Sequence, residues 1–243
     1  MDGPMKIKGI VVRAVSYGDN DKMLTVLSEE AGMMSVCAKG VKSLKNKNSA
    51  AANPLCYSEM VLKPGGEVFS LISADVIESF YPLREDMTAL SCGVYFAQLA
   101  AMCVGEGVPA GEELKLLLNT LYILSKYPAR CGILRPVFEL RLCEVVGVAP
   151  IVGMCSCGKE AEYFDIEDGE SVCALHKKPS SKKISPSSLK VIEYILESSL
   201  KDALLFDTPD SIAREICAVT EAFMTFQFGN LPKSLGYLKK VSQ

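Results

Sequence analysis

Residues 7–38 read IKGIVVRAVSYGDNDKMLTVLSEEAGMMSVCA. Positions 7–16 are rich in β-branched residues (Ile7, Ile10, Val11, Val12 and Val15), which favour extended backbone. The polar run Gly18-Asp19-Asn20-Asp21 reads as a turn. Residues 22–28 and 33–38 are two further extended runs, joined by Glu29-Glu30-Ala31-Gly32 as a hairpin loop ending on glycine. Downstream, residues 39–54 form a polar, lysine-rich loop, and 55–62 and 67–73 make a second hairpin across Lys63-Pro64-Gly65-Gly66. Five strands thus fall between residues 7 and 73, with no strong helical period among them. A sandwich would need more strands. A five-stranded Greek-key barrel of the OB type fits the count.

After Pro82 the period changes from two to that of a helix. Asp86 can cap a helix over residues 87–104, apolar nearly all round and therefore expected to be buried. Leu114, Leu117, Leu118 and Leu121 line one face of a second helix, and Leu134, Phe138, Leu142 and Val145 one face of a third that stops at Gly147. Ser185-Pro186 and Thr208-Pro209 each place a cap residue before a first-turn proline. Leu189, Ile192 and Leu196 follow the first, and Ile212, Ile216, Val219, Phe223 and Phe226 the second, up to Gly229. The expected fold is α+β: an OB-type barrel over residues 1–82, a helical domain over 83–243, and a zinc ribbon inserted into it at 150–180.

That insertion carries the pattern Cys155-x-Cys157-x15-Cys173-x2-His176. Four such ligands in two short turns match a closed tetrahedral zinc site. Tyr163-Phe164-Asp165-Ile166 between the pairs reads as a short strand, and Glu167-Asp168-Gly169-Glu170 as a turn. A ribbon this small buries too little to hold itself, so a structural ion would supply its folding energy. The other seven cysteines (Cys37, Cys56, Cys92, Cys103, Cys131, Cys143 and Cys217) stand singly in apolar segments, as core thiols do in a cytosolic protein.

The metal pattern also uses the one histidine of the 243 residues, which leaves Ser-His or Cys-His nucleophilic chemistry without a base. Phosphate-binding glycine loops and the Gly-x-Ser-x-Gly elbow are missing from the sequence. The deaminase pattern that goes with a catalytic zinc is missing as well. Catalytic residues are therefore expected to be none. With 49% apolar and 23% charged residues the chain can bury a core, and Lys, Glu or Gly interrupts every apolar run before membrane-spanning length. The opening Met1-Asp2-Gly3-Pro4-Met5-Lys6 lacks the apolar core of a signal peptide, so the expected location is cytoplasmic.

The net charge of −3 requires any nucleic-acid site to be a local patch. Lys39, Lys42, Lys45 and Lys47 fall within nine residues that contain no acid. Beside a barrel, such a loop can follow a phosphate backbone, with Arg13 on the first strand as an addition. The competing reading is a solvated loop. Tyr17, Tyr57 and Phe69 could stack bases, although strand aromatics are more often core. A second basic run, Lys177, Lys178, Lys182 and Lys183 with Lys190 beyond, follows the ribbon with no acid between Ser171 and Ile192. It could bind DNA or keep a linker soluble.

Taken together, Gly9-Ile10-Val11-Val12-Arg13, Tyr17-Gly18-Asp19, Leu24-Thr25-Val26-Leu27, Gly32 and Ala38-Lys39-Gly40-Val41 resemble the opening of the bacterial RecO family of recombination mediators. The spacing to Pro54-Leu55, Gly65-Gly66 and Tyr81-Pro82-Leu83 is similar too, as are the order of parts and the tail Leu235-Gly236-Tyr237-Leu238. The resemblance implies a non-enzymatic protein that binds single- and double-stranded DNA and anneals complementary strands. It also implies work with RecR, and often RecF, to help RecA replace single-strand-binding protein, and a cytoplasmic, nucleoid-associated location. By the same resemblance, the barrel and its basic loop contact DNA and one zinc ion is structural. The chain departs from the family in a first ligand pair one residue shorter than Cys-x-x-Cys, and in His176 where a fourth cysteine is common. The alternative reading of the residues is a helical interaction scaffold that does not touch DNA.

Overall fold

The computed structural model describes residues 3–66 and 68–242, so the expected start of a strand at Glu67 lies outside the described residues, as do Met1, Asp2 and Gln243. β1 (Met5–Tyr17), β2 (Asp21–Ser28), β3 (Gly32–Ala38), β4 (Tyr57–Lys63) and β5 (Phe69–Glu78) close into a barrel in the order β1-β2-β3-β5-β4, with β4 returning to β1. β3 and β5 run parallel, Val36 opposite Phe69, and the other neighbours are antiparallel. This is the five-stranded Greek-key barrel of the OB fold. Alternate residues fill it: Leu24 and Val26, Met34 and Val36, Met60 and Leu62. A bulge between Val11 and Arg13 shifts the register of β1, so that Val11 and Ala14 both pack on the core while Arg13, Val15 and Tyr17 are exposed.

Two details differ from the sequence reading. β4 begins at Tyr57 because Leu55 takes a left-handed φ of 64°, which breaks the extended run and buries its side chain. β5 runs on to Glu78, past the expected end at residue 73. The tight turn into β3 does need glycine: Gly32 has φ 61°, and a Cβ there would meet the carbonyl oxygen of Val108 at 2.3 Å.

The chain divides into two compact units. The first runs through Ser125 and takes in the segment from Pro232, so the expected boundary at residue 82 falls inside it; the second is Lys126–Leu231. In the first unit, α1 (Met87–Met102) starts where Asp86 accepts the amide of Ala89 at 2.8 Å. Its faces are buried by Ala89, Cys92, Tyr95, Phe96 and Leu99, as an apolar helix requires. α2 (Gly111–Lys126) buries Leu114, Leu117 and Leu121, with Leu118 half-buried.

The second unit holds α3 (Cys131–Val145), the ribbon strands β6 (Tyr163–Asp165), β7 (Glu170–Val172) and β8 (Ser181–Lys183), then α4 (Pro186–Glu197), α5 (Leu200–Leu205) and α6 (Asp210–Phe228). Ser185 caps α4 as its sequence announces, accepting the amide of Ser188. The cap expected at Thr208 is not formed: Pro209 itself occupies the cap position with extended ψ 142°, and Asp210 supplies the acid of the first turn. Phe226 is exposed, not part of the buried face. α3 is buried on every side, including a charged network in which Arg135 donates to Glu139 (2.9 Å) and Glu221 (2.7 Å), while Thr220 donates to Glu139. The last helix, α7 (Ser234–Val241), returns to the first unit, where Thr88 donates to its Val241 carbonyl. Among the described residues no helix is long and apolar enough to cross a membrane.

Candidate metal centre and nucleic-acid surface

Two tight turns build the metal cluster. In the first, Gly158 takes φ 80° and donates its amide to the Cys155 carbonyl at 2.7 Å. In the second, the amide of His176 donates to the Cys173 carbonyl at 3.0 Å. The ligand atoms of Cys155, Cys157, Cys173 and His176 all lie within 4.8 Å of one another. The two sulphurs of Cys157 and Cys173 are 3.7 Å apart, and His176 Nδ1 is 3.3 Å from Cys155 Sγ and 3.6 Å from Cys173 Sγ. A tetrahedral zinc with sulphur ligands at about 2.3 Å and nitrogen at about 2.0 Å separates two sulphurs by about 3.8 Å and a sulphur from a nitrogen by about 3.5 Å. The four ligands therefore fit around one ion of that size, and the short Cys-x-Cys spacing does not prevent it. The backbone amides of Cys157 and Cys173, with His176, bring the Cys155 thiol down to about 5, toward the thiolate a metal requires. Cys155 and Cys173 are buried, whereas Cys157 and His176 face solvent.

On the strand between the two ligand pairs stands Asp165, a residue whose role the sequence did not reveal. Its side chain is buried on β6, yet its carboxylate accepts the amides of Glu167 (3.1 Å) and Asp168 (3.0 Å) and the hydroxyls of Ser180 (3.0 Å) and Ser181 (2.6 Å). Burial opposes its charge, but these donors outweigh it and hold the carboxyl below the usual range. Asp165 thereby ties the β6–β7 turn and the start of β8 together. The second basic run is thus part of a three-stranded sheet, β7-β6-β8, and not a loose linker. Its lysines are largely occupied. Lys177 sits over the Tyr163 ring at 5.0 Å, Lys178 pairs with Asp168, and Lys182 reaches the Ala218 carbonyl at 3.4 Å. Lys183 and Lys190 are exposed.

The 39–47 segment is ordered as well, by a different means. Its amides form successive turns, Ser43 to the Gly40 carbonyl and Asn46 to that of Ser43. Gly40 donates to Asp21 at 2.8 Å, and Lys42 donates its amide to Asn20 and its ammonium to the Gly18 carbonyl at 2.7 Å. Further on, Asn48 bonds Ile72 and Ala74 of β5, while Val41 and Ala52 enter the barrel core. The polar, lysine-rich loop expected from composition is fastened to the barrel by hydrogen bonds along its length. Lys42 is consumed in holding it. Lys39, Lys45 and Lys47 are exposed and, among the described residues, no hydrogen bond or ion pair engages their ammonium groups. Arg13 and Tyr17 lie exposed on the strand that leads to the turn Lys42 grips.

Of the other aromatics, Phe69 packs on the barrel core. Tyr57 is half-buried, and burial and the carboxylates of Glu29 and Glu30 push its phenol up. Neither is placed to stack a base. Lys63, at the edge of the Lys63-Pro64-Gly65-Gly66 turn, carries no local signal of a role in binding. It is exposed and lies opposite Ser70, which pairs with Cys37, which pairs in turn with Met23. Only strand register could connect it to the β2–β3 face.

Comparison with known proteins agrees with this architecture along the chain. The family model described as Recombination protein O N terminal matches residues 1–80, and the one described as Recombination protein O C terminal matches residues 84–236. The DNA repair protein RecO of Acetivibrio thermocellus is 31% identical over 245 residues, spanning 98% of each chain. That of Clostridium novyi is 28% identical over 97% of this chain and 94% of the relative, and that of Alkaliphilus metalliredigens 30% identical over 82% and 83%.

Proposed function

The chain belongs to the RecO family of DNA repair proteins, and from that premise we propose that it is a non-enzymatic recombination mediator whose barrel binds single- and double-stranded DNA without sequence preference. In this role it anneals complementary strands and, with RecR, helps RecA take the place of single-strand-binding protein in the cytoplasm. The observation that carries the DNA-binding part is the state of Lys39, Lys45 and Lys47: three exposed ammonium groups without acidic partners, on a segment fastened to the barrel. Hydrogen bonds that already order the segment let it present these charges at little further entropic cost. Arg13 extends that surface along β1, and Tyr17 offers a ring to a base.

The ribbon takes a different part. Cys155, Cys157, Cys173 and His176 hold one zinc ion, whose contribution is to cross-link two turns of a sheet too small to be stable alone. With four protein ligands no position is open for water, so the site braces the fold and performs no reaction.

The test is fluorescence anisotropy of labelled oligo-dT across a salt series. Each phosphate contact on a single strand contributes about 0.7 to the slope of log affinity against log salt. Replacing Lys39, Lys45 and Lys47 by alanine should therefore flatten the slope by about 2. An unchanged slope and affinity would remove the barrel segment from the interface.

A further inference from the structure

Leu44 has no role in the fold described so far. It is 95% exposed, the most exposed of the large apolar side chains among the described residues. It occupies the second position of the turn closed by the amide of Asn46 on the Ser43 carbonyl at 3.0 Å. That turn cannot fold inward to cover it. Asn46 also donates its side chain to the Lys39 carbonyl at 3.1 Å, and Lys42 and Gly40 are pinned to Gly18 and Asp21. The immediate surroundings are cationic: Lys45 adjoins it, and Lys39 and Lys47 lie on the same short segment. The carboxylate nearest in the hydrogen-bond pattern, Asp21, is engaged by the Gly40 amide.

An apolar side chain held in water among unpartnered lysines costs free energy in the isolated protein, and that cost is recovered on a ligand that is anionic outside and apolar within. Nucleic acid has that character: phosphates within reach of the lysines, and base faces between them. We propose that Leu44 is a wedge that enters between neighbouring bases of the strand whose phosphates Lys39, Lys45 and Lys47 hold. The inference rests on the DNA-binding reading above and adds to it a residue that touches bases. Proteins that bend or open nucleic acid commonly insert Leu, Ile, Met or Phe at such a step. Leucine recognises no base edge, so the contact is indifferent to sequence. It would also leave bases partly unstacked. A membrane surface is the other anionic-and-apolar partner, but one exposed leucine is a smaller apolar face than interfacial anchoring uses.

The experiment uses the full-length protein and an oligonucleotide carrying 2-aminopurine between adenines, whose fluorescence rises when the base is unstacked. The wild type should bind and raise the signal. L44S, which should melt as the wild type does because the side chain is exposed, should lose the rise and bind about tenfold more weakly, at the lower end of what a base contact contributes. Its salt slope should stay the same, since no phosphate contact is removed. L44F should restore the rise. If wild type and L44S raise the signal equally, the wedge is wrong while DNA binding stands. If the wild type binds no DNA, the reading beneath it fails. Sedimentation with phosphatidylglycerol vesicles that is lost in L44S would overturn the wedge in favour of a membrane contact.

Discussion

The two lysine-rich segments are close in composition and opposite in use. Residues 39–47 and 177–183 each carry four lysines and no acid. In the first, backbone turns, Asp21, Asn46, Asn48 and a single lysine, Lys42, perform the anchoring, which leaves Lys39, Lys45 and Lys47 without ion-pair or hydrogen-bond partners among the described residues. In the second, Asp165 and the β6–β8 pairing order the backbone, and three of the lysines are engaged as well: Lys177 on an aromatic ring, Lys178 on Asp168 and Lys182 on a carbonyl. Charge density in a sequence therefore does not distinguish a binding surface from a brace. What distinguishes them is how many of the lysines already have a partner within the fold.

The largest test of that contrast removes the metal. Cys173→Ser takes away a buried ligand, and a three-stranded sheet of three-residue strands has little else to hold it. Zinc content should fall from one ion per chain to none, and hydrogen exchange across residues 155–183 should become fast. The barrel has its own core, so oligo-dT binding should keep its salt slope. Loss of the slope along with the zinc would mean that the ribbon, and not the barrel, carries the DNA contacts.

A swap of the two lysine sets comes next. Alanine at Lys39, Lys45 and Lys47 should flatten the salt slope by about 2 and leave thermal stability unchanged. Alanine at Lys177, Lys178 and Lys182 should lower stability slightly and leave the slope where it was. The reverse pattern would invert the assignment.

Asp165 tests why the second segment is ordered at all. Asp165→Asn keeps an oxygen for the amides of Glu167 and Asp168 but gives up the charge that all four donors favour. Hydrogen bonds to a charged group contribute about 1.5–3 kcal/mol, and urea unfolding at pH 7 should show a loss of about 2 kcal/mol. The folded-state pKa of Asp165 is depressed from 3.8, so its contribution is complete above that value and is lost as pH falls through the folded one. Wild type and variant should therefore converge in strong acid. A difference that persists there would mean that shape, and not charge, is what the variant removed.

The barrel and the metal cluster were legible because each is written in local pattern. Alternation gave the strands of the barrel, and ligand spacing gave Cys155, Cys157, Cys173 and His176. What was hidden depends on long-range partners. The left-handed Leu55 and the extension of β5 to Glu78 follow from closing the barrel. α5 and α7 are six and eight residues long, too short for their periodicity to stand out. Phe226 continues the apolar spacing of α6, yet it is 53% exposed in the fold. The fates of the lysines were the least readable feature, because Asp168 and Tyr163 precede Lys177 and Lys178 by nine residues or more and meet them only through the β6–β7 turn and the strand pairing.

The smallest effect separates two lysines of the same run. Lys178 is tied to Asp168 at the surface, and such pairs add little to stability. Lys178→Ala should lower the melting temperature by an amount at the edge of detection, with no change in salt slope. Lys183 is exposed on β8 and, among the described residues, has no ion-pair partner. It is the one residue of 177–183 in the same condition as Lys39, Lys45 and Lys47. If availability alone defines the DNA surface, Lys183→Ala should reduce the salt slope by about 0.7. If position on the barrel is also required, it should reduce it by nothing. An unchanged slope in Lys183→Ala, alongside a flattened one in Lys45→Ala, would confine the interface to the barrel and leave the ribbon as a brace.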